Sequence, residues 1–298
     1  MKIINFGSMN IDRVYDVAQM VAPGETISAG GLHIYAGGKG LNQSVAAARA
    51  GAQVIHAGAV GPEGGFLVDA LTQSGADAGH LLRPETETGH AVIQINSAGQ
   101  NAIIVYGGAN QCLDEAYIDK MLALGDVGDL VLLQNETSGT AEIIRRAHEK
   151  GLTVVFNPSP FPAEPLPYEL VDLFIVNEIE GALLAELPLD TQPETILNAI
   201  GERFPNAWVV LTLGGSGVVC RKGGETFAHP IFKVTAVDTT AAGDTFCGYF
   251  LAGLCLQKDI PQCLKEASAA SAIAVSRQGA VPSIPTRAEV EEFLAERK

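Results

Sequence analysis

A stretch of small residues that leads directly into a predicted helix is the strongest chemical signal in the sequence. Residues 237–246 read VDTTAAGDTF, and Asp244 stands at the start of that helix. The three small residues before it are Ala241, Ala242 and Gly243. Their backbone N–H groups can converge at the positive end of the helix, which suits a phosphoryl group, while Asp244 can accept a proton from a substrate hydroxyl. The segment therefore has the parts for phosphoryl transfer to an alcohol. The alternative is that Asp238 or Asp244 only caps the helix.

A second glycine-rich turn opens another predicted helix. Residues 36–43 read AGGKGLNQ, and their glycines would let the backbone approach a small ligand closely. Lys39 and Asn42 would then offer hydrogen-bond donors to ligand hydroxyls. The sequence contains neither a G-x-x-x-x-G-K-[ST] phosphate loop nor a G-x-G-x-x-G dinucleotide motif. A plain turn before a helix is the alternative for this segment.

Polar side chains follow three of the predicted strands at the points where these strands end. Asn10 and Asp12 follow the first strand, Glu136 follows the strand at 129–134, and Asn177 and Glu180 follow the strand at 173–176. Open α/β sheets bind their ligands at the carboxyl ends of the strands, so these side chains are expected to share one site with the two glycine-rich turns. The oxygens of Asn177 and Glu180 could hold Mg²⁺ through water, its usual mode of binding. Each of these residues, taken alone, could instead be a solvated helix cap.

Strands alternate with helices along the chain, and this predicts the scaffold that positions these groups. Strands are predicted at 2–8, 53–59, 129–134, 152–156, 173–176 and 208–213, and helices at 41–50, 65–74, 141–150, about 191–203, 242–256, 261–275 and 286–297. Such alternation predicts an α/β fold in which helices cover both faces of a mostly parallel sheet. Two β-rich segments, roughly 10–36 and 88–107, do not fit into that sheet, and we expect them to form a small β-sheet lid. The second contains a predicted hairpin.

Composition narrows the class of protein. The 298 residues are 47% hydrophobic and 18% charged, and 19 basic against 34 acidic residues give a formal charge of −15. This sign disfavours nonspecific binding to nucleic acid or anionic lipid. No stretch approaches 18 apolar residues, so no membrane span is expected. Five cysteines without a C-x-x-C pair predict reduced thiols and residence in the cytoplasm.

The motifs AGGKGLNQ and DTTAAGD together resemble the two signatures of the ribokinase (PfkB) family of carbohydrate kinases. The resemblance extends from GSMNID near the N-terminus to RQGAVPSIP near the C-terminus. It implies one ribokinase-like three-layer α/β/α kinase domain over residues 1–298 with a β-sheet lid, and a homodimer formed through the lids. It also implies that ATP, with Mg²⁺, is the phosphoryl donor and that a primary hydroxyl is the acceptor. The implied reaction converts D-ribose to D-ribose 5-phosphate.

The resemblance assigns roles to individual residues. Asp244 matches the catalytic base, and residues 241–243 match the anion hole beside it. The implied sugar contacts are Asn10, Asp12, Gly38, Lys39, Asn42, Glu136 and Asp244, with apolar lid contacts from Ala91, Ile93 and Val105. The implied nucleotide contacts are Asn177, Thr212, Gly214, Gly217 and Ser268, and the implied water-mediated Mg²⁺ contacts are Asn177 and Glu180. A monovalent cation, expected to be K⁺, would be held by Asp238, Thr240, Ala274, Arg277, Gly279 and Ser283.

Three places depart from the family pattern. His90 stands in the lid where an apolar residue is frequent, and Ser268 stands where an Asn commonly flanks the adenine. The segment QNETS at 134–138 also differs around Glu136. These departures bear on the choice of sugar and nucleotide and leave phosphoryl transfer itself unaffected.

Other functions remain open from the sequence. A related kinase could act on 2-deoxyribose, a ketose or a nucleoside, although Asp12 favours a sugar with hydroxyls that deoxy substrates lack. A non-catalytic sugar-binding protein on the same scaffold would not require the intact AAGD segment. An NAD-dependent oxidoreductase is disfavoured because the G-x-G-x-x-G motif is missing.

Overall fold

The computed structural model describes residues 1–297, which contain two separate β-sheets and nine α-helices. The strands are β1 (Ile3–Phe6), β2 (Asn10–Val17), β3 (Gly31–Gly37), β4 (Val54–Ala57), β5 (Gly89–Asn96), β6 (Asn101–Tyr106), β7 (Leu130–Leu133), β8 (Thr153–Phe156), β9 (Leu173–Asn177), β10 (Trp208–Thr212), β11 (Val218–Lys222) and β12 (Glu225–His229). The helices are α1 (Lys39–Arg49), α2 (Gly65–Ser74), α3 (Glu115–Leu122), α4 (Thr140–Glu149), α5 (Glu178–Leu184), α6 (Pro193–Arg203), α7 (Ala242–Cys255), α8 (Ile260–Val275) and α9 (Arg287–Ala295).

The large sheet has eight strands in the order β12-β11-β10-β9-β8-β7-β1-β4. All neighbours from β10 to β4 pair in parallel, and only β11 and β12 at one edge are antiparallel. Strands such as IINF, VIHA and LVLL are apolar at nearly every position and buried at every position, as expected of a sheet that is covered on both faces.

Helices cover the two faces of the large sheet in two separate apolar clusters. One cluster joins α1, α2, α7, α8 and α9 to one face, with Leu41 and Phe250 at its centre. The other joins α3, α4, α5 and α6 to the opposite face, around Ile143 and Ile196. The predicted three-layer α/β fold is therefore confirmed. No helix within residues 1–297 combines the length and the apolar character that crossing a membrane would require.

The small sheet has four strands in the order β3-β2-β5-β6 and shares no strand with the large one. It is built from the two β-rich segments that sequence analysis set apart, and the predicted hairpin is β5 and β6. β2 begins at Asn10, four residues after β1 ends at Phe6, so one short connection joins the two sheets. The separate small sheet is confirmed, whereas its action as a lid stays a prediction.

The β11–β12 hairpin and helix α3 were missed by sequence analysis. The two strands pair in register around Gly223 and Gly224, which form the turn between them. A Gly-Gly pair between two short runs is a hairpin signal, but the runs VVCRK and ETFAH are less apolar than the parallel strands. The polar composition of β12 is explained by its edge position, because only one of its sides is paired and its residues are largely exposed.

The start of α1 touches the end of β1 more closely than any side chain would allow. A Cβ added at Gly40 would lie 2.2 Å from the Cα of Gly7 and 2.3 Å from the backbone N of Ser8. Gly38, which precedes α1, has φ of +95° and would bring a Cβ within 2.9 Å of the Ser8 carbonyl oxygen. The glycines of AGGKGLNQ are therefore needed for packing against β1, and this contact places the first turn of α1 at the strand ends.

Replacing Gly40 by Ala should destabilise the protein, because neighbouring backbone atoms must move to admit the methyl group. We expect the free energy of unfolding to fall by about 2 kcal/mol or more. In a thermal scan this corresponds to a loss of about 5 °C or more in Tm. Gly65→Ala is the matched control, since Gly65 also lies in the first turn of a helix but has open space around its Cβ position. An equal Tm for both variants would contradict this account of the contact.

Candidate active site

The first turn of α1 is fixed by hydrogen bonds to the segments that follow β1 and β7. Ser8 accepts from the Leu41 N–H through its carbonyl at 2.9 Å and from the Gly40 N–H through its hydroxyl at 3.2 Å. The same hydroxyl donates to Glu136 Oε2, which also accepts from the Lys39 N–H at 3.1 Å. Lys39 and Glu136 are thus brought together as predicted, and Ser8, which sequence analysis missed, joins them.

Asp244 lies in the first turn of α7 and faces α1. Asn42 donates its Nδ2 to Asp244 Oδ2 at 3.0 Å, and Gln43 donates its Nε2 to Asp244 Oδ1 at 2.9 Å. Both carboxylate oxygens are therefore held by side-chain amides of one helix. Sequence analysis named Asn42 but missed Gln43, although Gln43 is the last residue of the motif AGGKGLNQ.

The residue that precedes α7 has a strained backbone conformation. Ala241, the residue that caps the helix, has φ of +58° and ψ of 11°, a conformation that residues other than glycine rarely adopt. Gly243 has open space around its Cβ position, so a ligand can approach its amide. The Ala242 N–H instead points to the Thr239 carbonyl at 3.3 Å. Of the three residues predicted to form the anion hole, Gly243 is the most open.

Charges of both signs are concentrated around Asp244. Burial by itself lowers the pKa of the Lys39 ammonium, but the carboxylates of Asp244, Glu136 and Glu180 raise that pKa above its usual value. Burial raises the pKa of Asp12 to about 7, and the negative charges of Glu136 and Asp244 add to this shift. Burial likewise raises the pKa of Glu136 and of Glu180.

The small sheet presents one face to this cluster of charges. Asp12, Ala91 and Val105 lie side by side on neighbouring strands, and Ile93 stands two residues further along β5 on the same face. All three predicted lid contacts therefore share the face of Asp12. His90 points to the opposite face, where its ring packs 5.1 Å from that of Tyr106. The unusual residue at position 90 thus lies away from the predicted sugar contacts.

Two adjoining cavities meet at the start of α7. The smaller, of about 230 Å³, is polar and is lined by Lys39, Asn177, Glu180 and Asp244 among others. The larger, of about 710 Å³, is mainly apolar and is lined by Gly214, Gly217, Phe246 and Ser268 among others. Thr212, Ala242 and Gly243 line both. All five predicted nucleotide contacts thus lie on one or both of these cavities.

Asn177 and Glu180 form a capping box at the start of α5. Asn177 Oδ1 accepts from the Glu180 N–H at 2.8 Å, and Glu180 Oε2 accepts from the Asn177 N–H at 3.0 Å. The capping role that sequence analysis left open is therefore present. It occupies one carboxylate oxygen of Glu180, and this residue also lines the smaller cavity. The donor set, a carboxylate beside amide oxygens at a polar cavity, fits Mg²⁺ held through water.

Five of the six predicted cation ligands lie on two loops that Asp238 joins, and the sixth, Ala274, lies in α8. Asp238 accepts from the Thr240 N–H and the Gly279 N–H, each at 2.9 Å. Burial alone would raise the pKa of Asp238, but these hydrogen bonds lower the pKa below its usual range. The Arg277 guanidinium is paired with Glu289, so only the backbone of Arg277 could serve a cation. Ala274 lies in the last turn of α8, and Ser283 is buried with its hydroxyl on the Ala280 carbonyl.

Asn157, Ser159 and Thr239 line the smaller cavity and were also missed by sequence analysis. Asn157 directly follows β8, so the same rule that identified Glu136 and Asn177 would have found it. Thr239 lies within the motif DTTAAGD, which could have identified it. Ser159 carries no comparable signal, because it lies in a loop whose path depends on the rest of the fold.

The fold and the site together are those of an α/β phosphotransferase. A model of the family described as pfkB family carbohydrate kinase matches residues 1–287. The chain therefore belongs to the pfkB family of carbohydrate kinases, which confirms the predicted family and the predicted class of enzyme.

Similar proteins include several ribokinases. A ribokinase from Haemophilus influenzae is 37% identical over 297 residues, which cover 97% of this chain and 96% of that protein. The structure of ribokinase from Cryptococcus neoformans var. grubii in complex with ADP is 35% identical, with a TM-score of 0.84 and coverage of 98% and 99%. The structure of Arabidopsis thaliana ribokinase complexed with ribose and ATP is 30% identical, with a TM-score of 0.87 and coverage of 98% of each chain.

The raised pKa of Asp12 predicts that this residue lowers stability as the pH rises. Between the ordinary pKa of an aspartate, 3.8, and the folded value of about 7, the folded protein holds a proton that the unfolded chain has lost. Stability contributed by this proton is complete below pH 3.8 and is lost as the pH rises through about 7. Asp12→Asn should therefore raise Tm more at pH 8 than at pH 5.

The measurement is the Tm difference between variant and wild type at the two pH values. Asp69→Asn removes the same charge from an exposed position on α2 and serves as the control. A pH-independent Tm difference for Asp12→Asn would contradict the raised pKa.

Proposed function

We propose that the protein transfers the γ-phosphoryl group of ATP to the primary hydroxyl of D-ribose and forms D-ribose 5-phosphate. The observation that carries this proposal is the position of Asp244, which stands at the start of α7 where the polar and the apolar cavities meet. Support for ribose as the substrate comes from the ribokinases that this chain resembles over nearly its whole length.

Polar groups around Asp244 are suited to the hydroxyls of a sugar. Asn42 is 5% exposed, and its Oδ1 has no hydrogen-bond partner among the described residues. A buried amide oxygen without a partner is costly, and a sugar hydroxyl that donates to it would remove that cost. Lys39 offers a donor, and Asp12 and Glu136 offer acceptors. The proposed sugar site comprises these four residues with Asn10, Gly38 and Asp244, and the face of the small sheet that carries Ala91, Ile93 and Val105.

Asp244 is the proposed proton acceptor. As the sugar oxygen attacks the γ-phosphorus in line, its proton passes to the Asp244 carboxylate, and the bond from the γ-phosphorus to the oxygen that bridges it to the rest of ATP breaks. The amides at the start of α7, that of Gly243 above all, stabilise the charge on the transferred group together with Lys39. Mg²⁺, when bound, supplies positive charge to the phosphate oxygens, and Glu180 and Asn177 would hold it through water.

The larger cavity is the proposed nucleotide site. Its volume of about 710 Å³ and its mainly apolar walls are typical of pockets that bind a flat heterocycle. Gly214 and Gly217, which follow β10, line this cavity together with Ser268 of α8. Thr212 and Asn177 stand where this cavity approaches the smaller one, so the phosphate chain would extend from the apolar cavity toward Asp244.

A monovalent cation, K⁺, is proposed at the loops that Asp238 joins. The lowered pKa of Asp238 keeps this carboxylate ionised, and the fixed contact with Thr240 and Gly279 holds the two loops together. Thr240 immediately precedes the strained Ala241, so a cation at this place would act on the start of α7. The proposed set is completed by Ala274, Arg277 through its backbone, and Ser283.

The small sheet is proposed to close over the sugar as a lid and to pair with the lid of a second copy of the chain. Every residue of β6 is exposed, including Ile103, Ile104 and Val105. Leu32 and Ile34 of β3 are exposed as well. An isolated sheet with apolar side chains on both faces needs a partner surface, and a second lid would supply a matching one.

Residence in the cytoplasm is the proposed location. All five cysteines are free thiols, and four of them are buried. A protein with unpaired buried thiols and a need for ATP fits a reducing compartment.

Replacing Asp244 by Asn should abolish most of the activity, because the amide cannot accept the hydroxyl proton. We expect kcat for ribose to fall by about 10²–10⁴-fold, the range typical of a general base, while the ribose Kd stays within about threefold. Steady-state ADP release gives kcat, and isothermal titration gives the Kd. Near-normal turnover by this variant would exclude Asp244 as the proton acceptor.

The sugar and the cation are tested in the same ADP-release assay. Ribose, 2-deoxyribose, fructose and adenosine are compared at equal concentration, each with K⁺ and with Na⁺ at the same ionic strength. The proposal requires the highest kcat/KM for ribose and an increase with K⁺. A higher kcat/KM for another acceptor would replace ribose as the substrate without excluding the kinase.

Ile104→Lys should separate the proposed dimer into monomers. Ile104 is 68% exposed and lies on the face of the small sheet opposite to Asp12, so the change adds a charge to the contact surface without entering the sugar site. We expect the wild type to sediment as a dimer of the 31.2 kDa chain and the variant as a monomer. Val127→Lys, at an 84% exposed apolar residue outside the lid, should leave the dimer intact. A monomeric wild type would overturn this part of the proposal.

A further inference from the structure

A chain of buried side-chain amides reaches Asp244 from the interior of the large sheet. Gln43 donates its Nε2 to Asp244 Oδ1 at 2.9 Å and to Asn157 Oδ1 at 3.0 Å. Gln43 Oε1 accepts from Gln134 Nε2 at 2.7 Å, and the same Nε2 donates to Asn5 Oδ1 at 3.0 Å. Gln43 and Asn5 are 0% exposed and Gln134 is 1% exposed. The amides of Gln43, Gln134 and Asn5 are therefore shielded from water, while Asn157 and Asp244 border the smaller cavity.

Backbone carbonyls at both ends of the chain determine which way each amide faces. Asn157 donates its Nδ2 to the Ile175 carbonyl at 2.9 Å, which turns Asn157 Oδ1 toward Gln43. Asn5 donates its Nδ2 to the Gly40 carbonyl at 2.8 Å, which turns Asn5 Oδ1 toward Gln134. A carbonyl can only accept, so Gln134 must donate to Asn5 and Gln43 must donate to Asn157. The N–H group of Gln43 is consequently the one that meets Asp244.

We propose that Gln43 is a positioning residue for the transfer reaction, which holds Asp244 Oδ1 so that Oδ2 is the oxygen that receives the hydroxyl proton. Oδ2 is held only by Asn42, whose other amide atom lacks a partner among residues 1–297 and is proposed to bind the sugar. Proton acceptor and sugar contact thus lie on the same side of the carboxylate. This inference rests on the proposed function, because it assumes that Asp244 accepts the proton.

Several charged or titratable groups face Asp244 from the elements around it. They are Asp12 of β2, Lys39 of α1, Glu136 after β7, Glu180 of α5 and Cys247 of α7. Asp12, Lys39, Glu136 and Glu180 act on Asp244 through their charges, whereas burial raises the pKa of the Cys247 thiol and keeps it neutral. Gln43 differs from all five because it donates a hydrogen bond directly to Asp244 Oδ1.

Gln43→Met removes the donor and keeps the length and burial of the side chain. We expect kcat to fall by about 10- to 100-fold, as for the loss of a hydrogen bond to a charged group, while the ribose KM stays within about threefold. Gln43→Glu places a second carboxylate against Asp244. The two negative charges repel each other, so the acid limb of the kcat/KM profile should move upward by about one pH unit.

Ser44→Ala is the matched control for loss of a buried hydrogen bond. Ser44 follows Gln43 on α1, is 1% exposed, and bonds to Asn5 and His56 without contacting Asp244. We expect it to lower Tm as much as Gln43→Met while kcat and the pH profile stay as in the wild type. A Gln43→Met variant with wild-type kcat, or a Ser44→Ala variant with an equal loss of kcat, would overturn the inference.

Gln134→Met provides a second route to the same test if the Gln43 variants do not fold. It leaves the Asp244 contact possible but removes the donor that orients Gln43, so we expect kcat to fall by about three- to tenfold at unchanged ribose KM. Unchanged kcat in Gln134→Met would count against the inference. Wild-type protein that releases no ADP with any sugar would instead overturn the proposed function, and this inference with it.

Discussion

The close contact between the start of α1 and the end of β1 is the constraint on which the site depends. Gly40 and Gly7 approach so closely that neither position could carry a side chain. This contact brings the first turn of α1 to the strand ends, where Lys39, Asn42 and Gln43 face the start of α7. Farther along, Gly248 of α7 lies against Ala46, whose Cβ would be 2.5 Å from a Cβ added at Gly248. Small residues at both places thus set the distance between the two helices.

Electrostatics explain how a chain with a formal charge of −15 could accept an anionic substrate. Carboxylates of Glu136, Glu180 and Asp244 surround Lys39, and Asp12 lies close to Glu136 and Asp244. Burial in this crowded region raises the pKa of Asp12, Glu136 and Glu180. The positive potential that the chain itself offers a phosphoryl group therefore comes from Lys39 and from the amides at the start of α7. A site that relies on backbone amides does not require a basic protein, which is consistent with the acidic composition of the chain.

Local sequence patterns predict much of the fold and part of the site. Apolar runs such as IINF and LVLL indicate buried parallel strands, and small residues before helical runs indicate the starts of α1 and α7. The rule that ligands bind at strand ends is enough to assign Asn10, Glu136 and Asn177 to the same edge of the sheet. The β11–β12 hairpin escapes this reasoning because VVCRK of β11 ends in two charged residues and β12, at the edge of the sheet, is largely exposed.

The sequence by itself determined the local backbone of the site, because glycine and alanine restrict or permit conformations wherever they occur. It also determined the family, through two motifs that are each continuous in the chain. Only the tertiary structure decided that Gln43 meets Asp244, 201 residues away, and that Asn157 and Gln134 orient it. Which amide meets which carboxylate depends on the order of strands in the sheet, and no local pattern of residues carries that order.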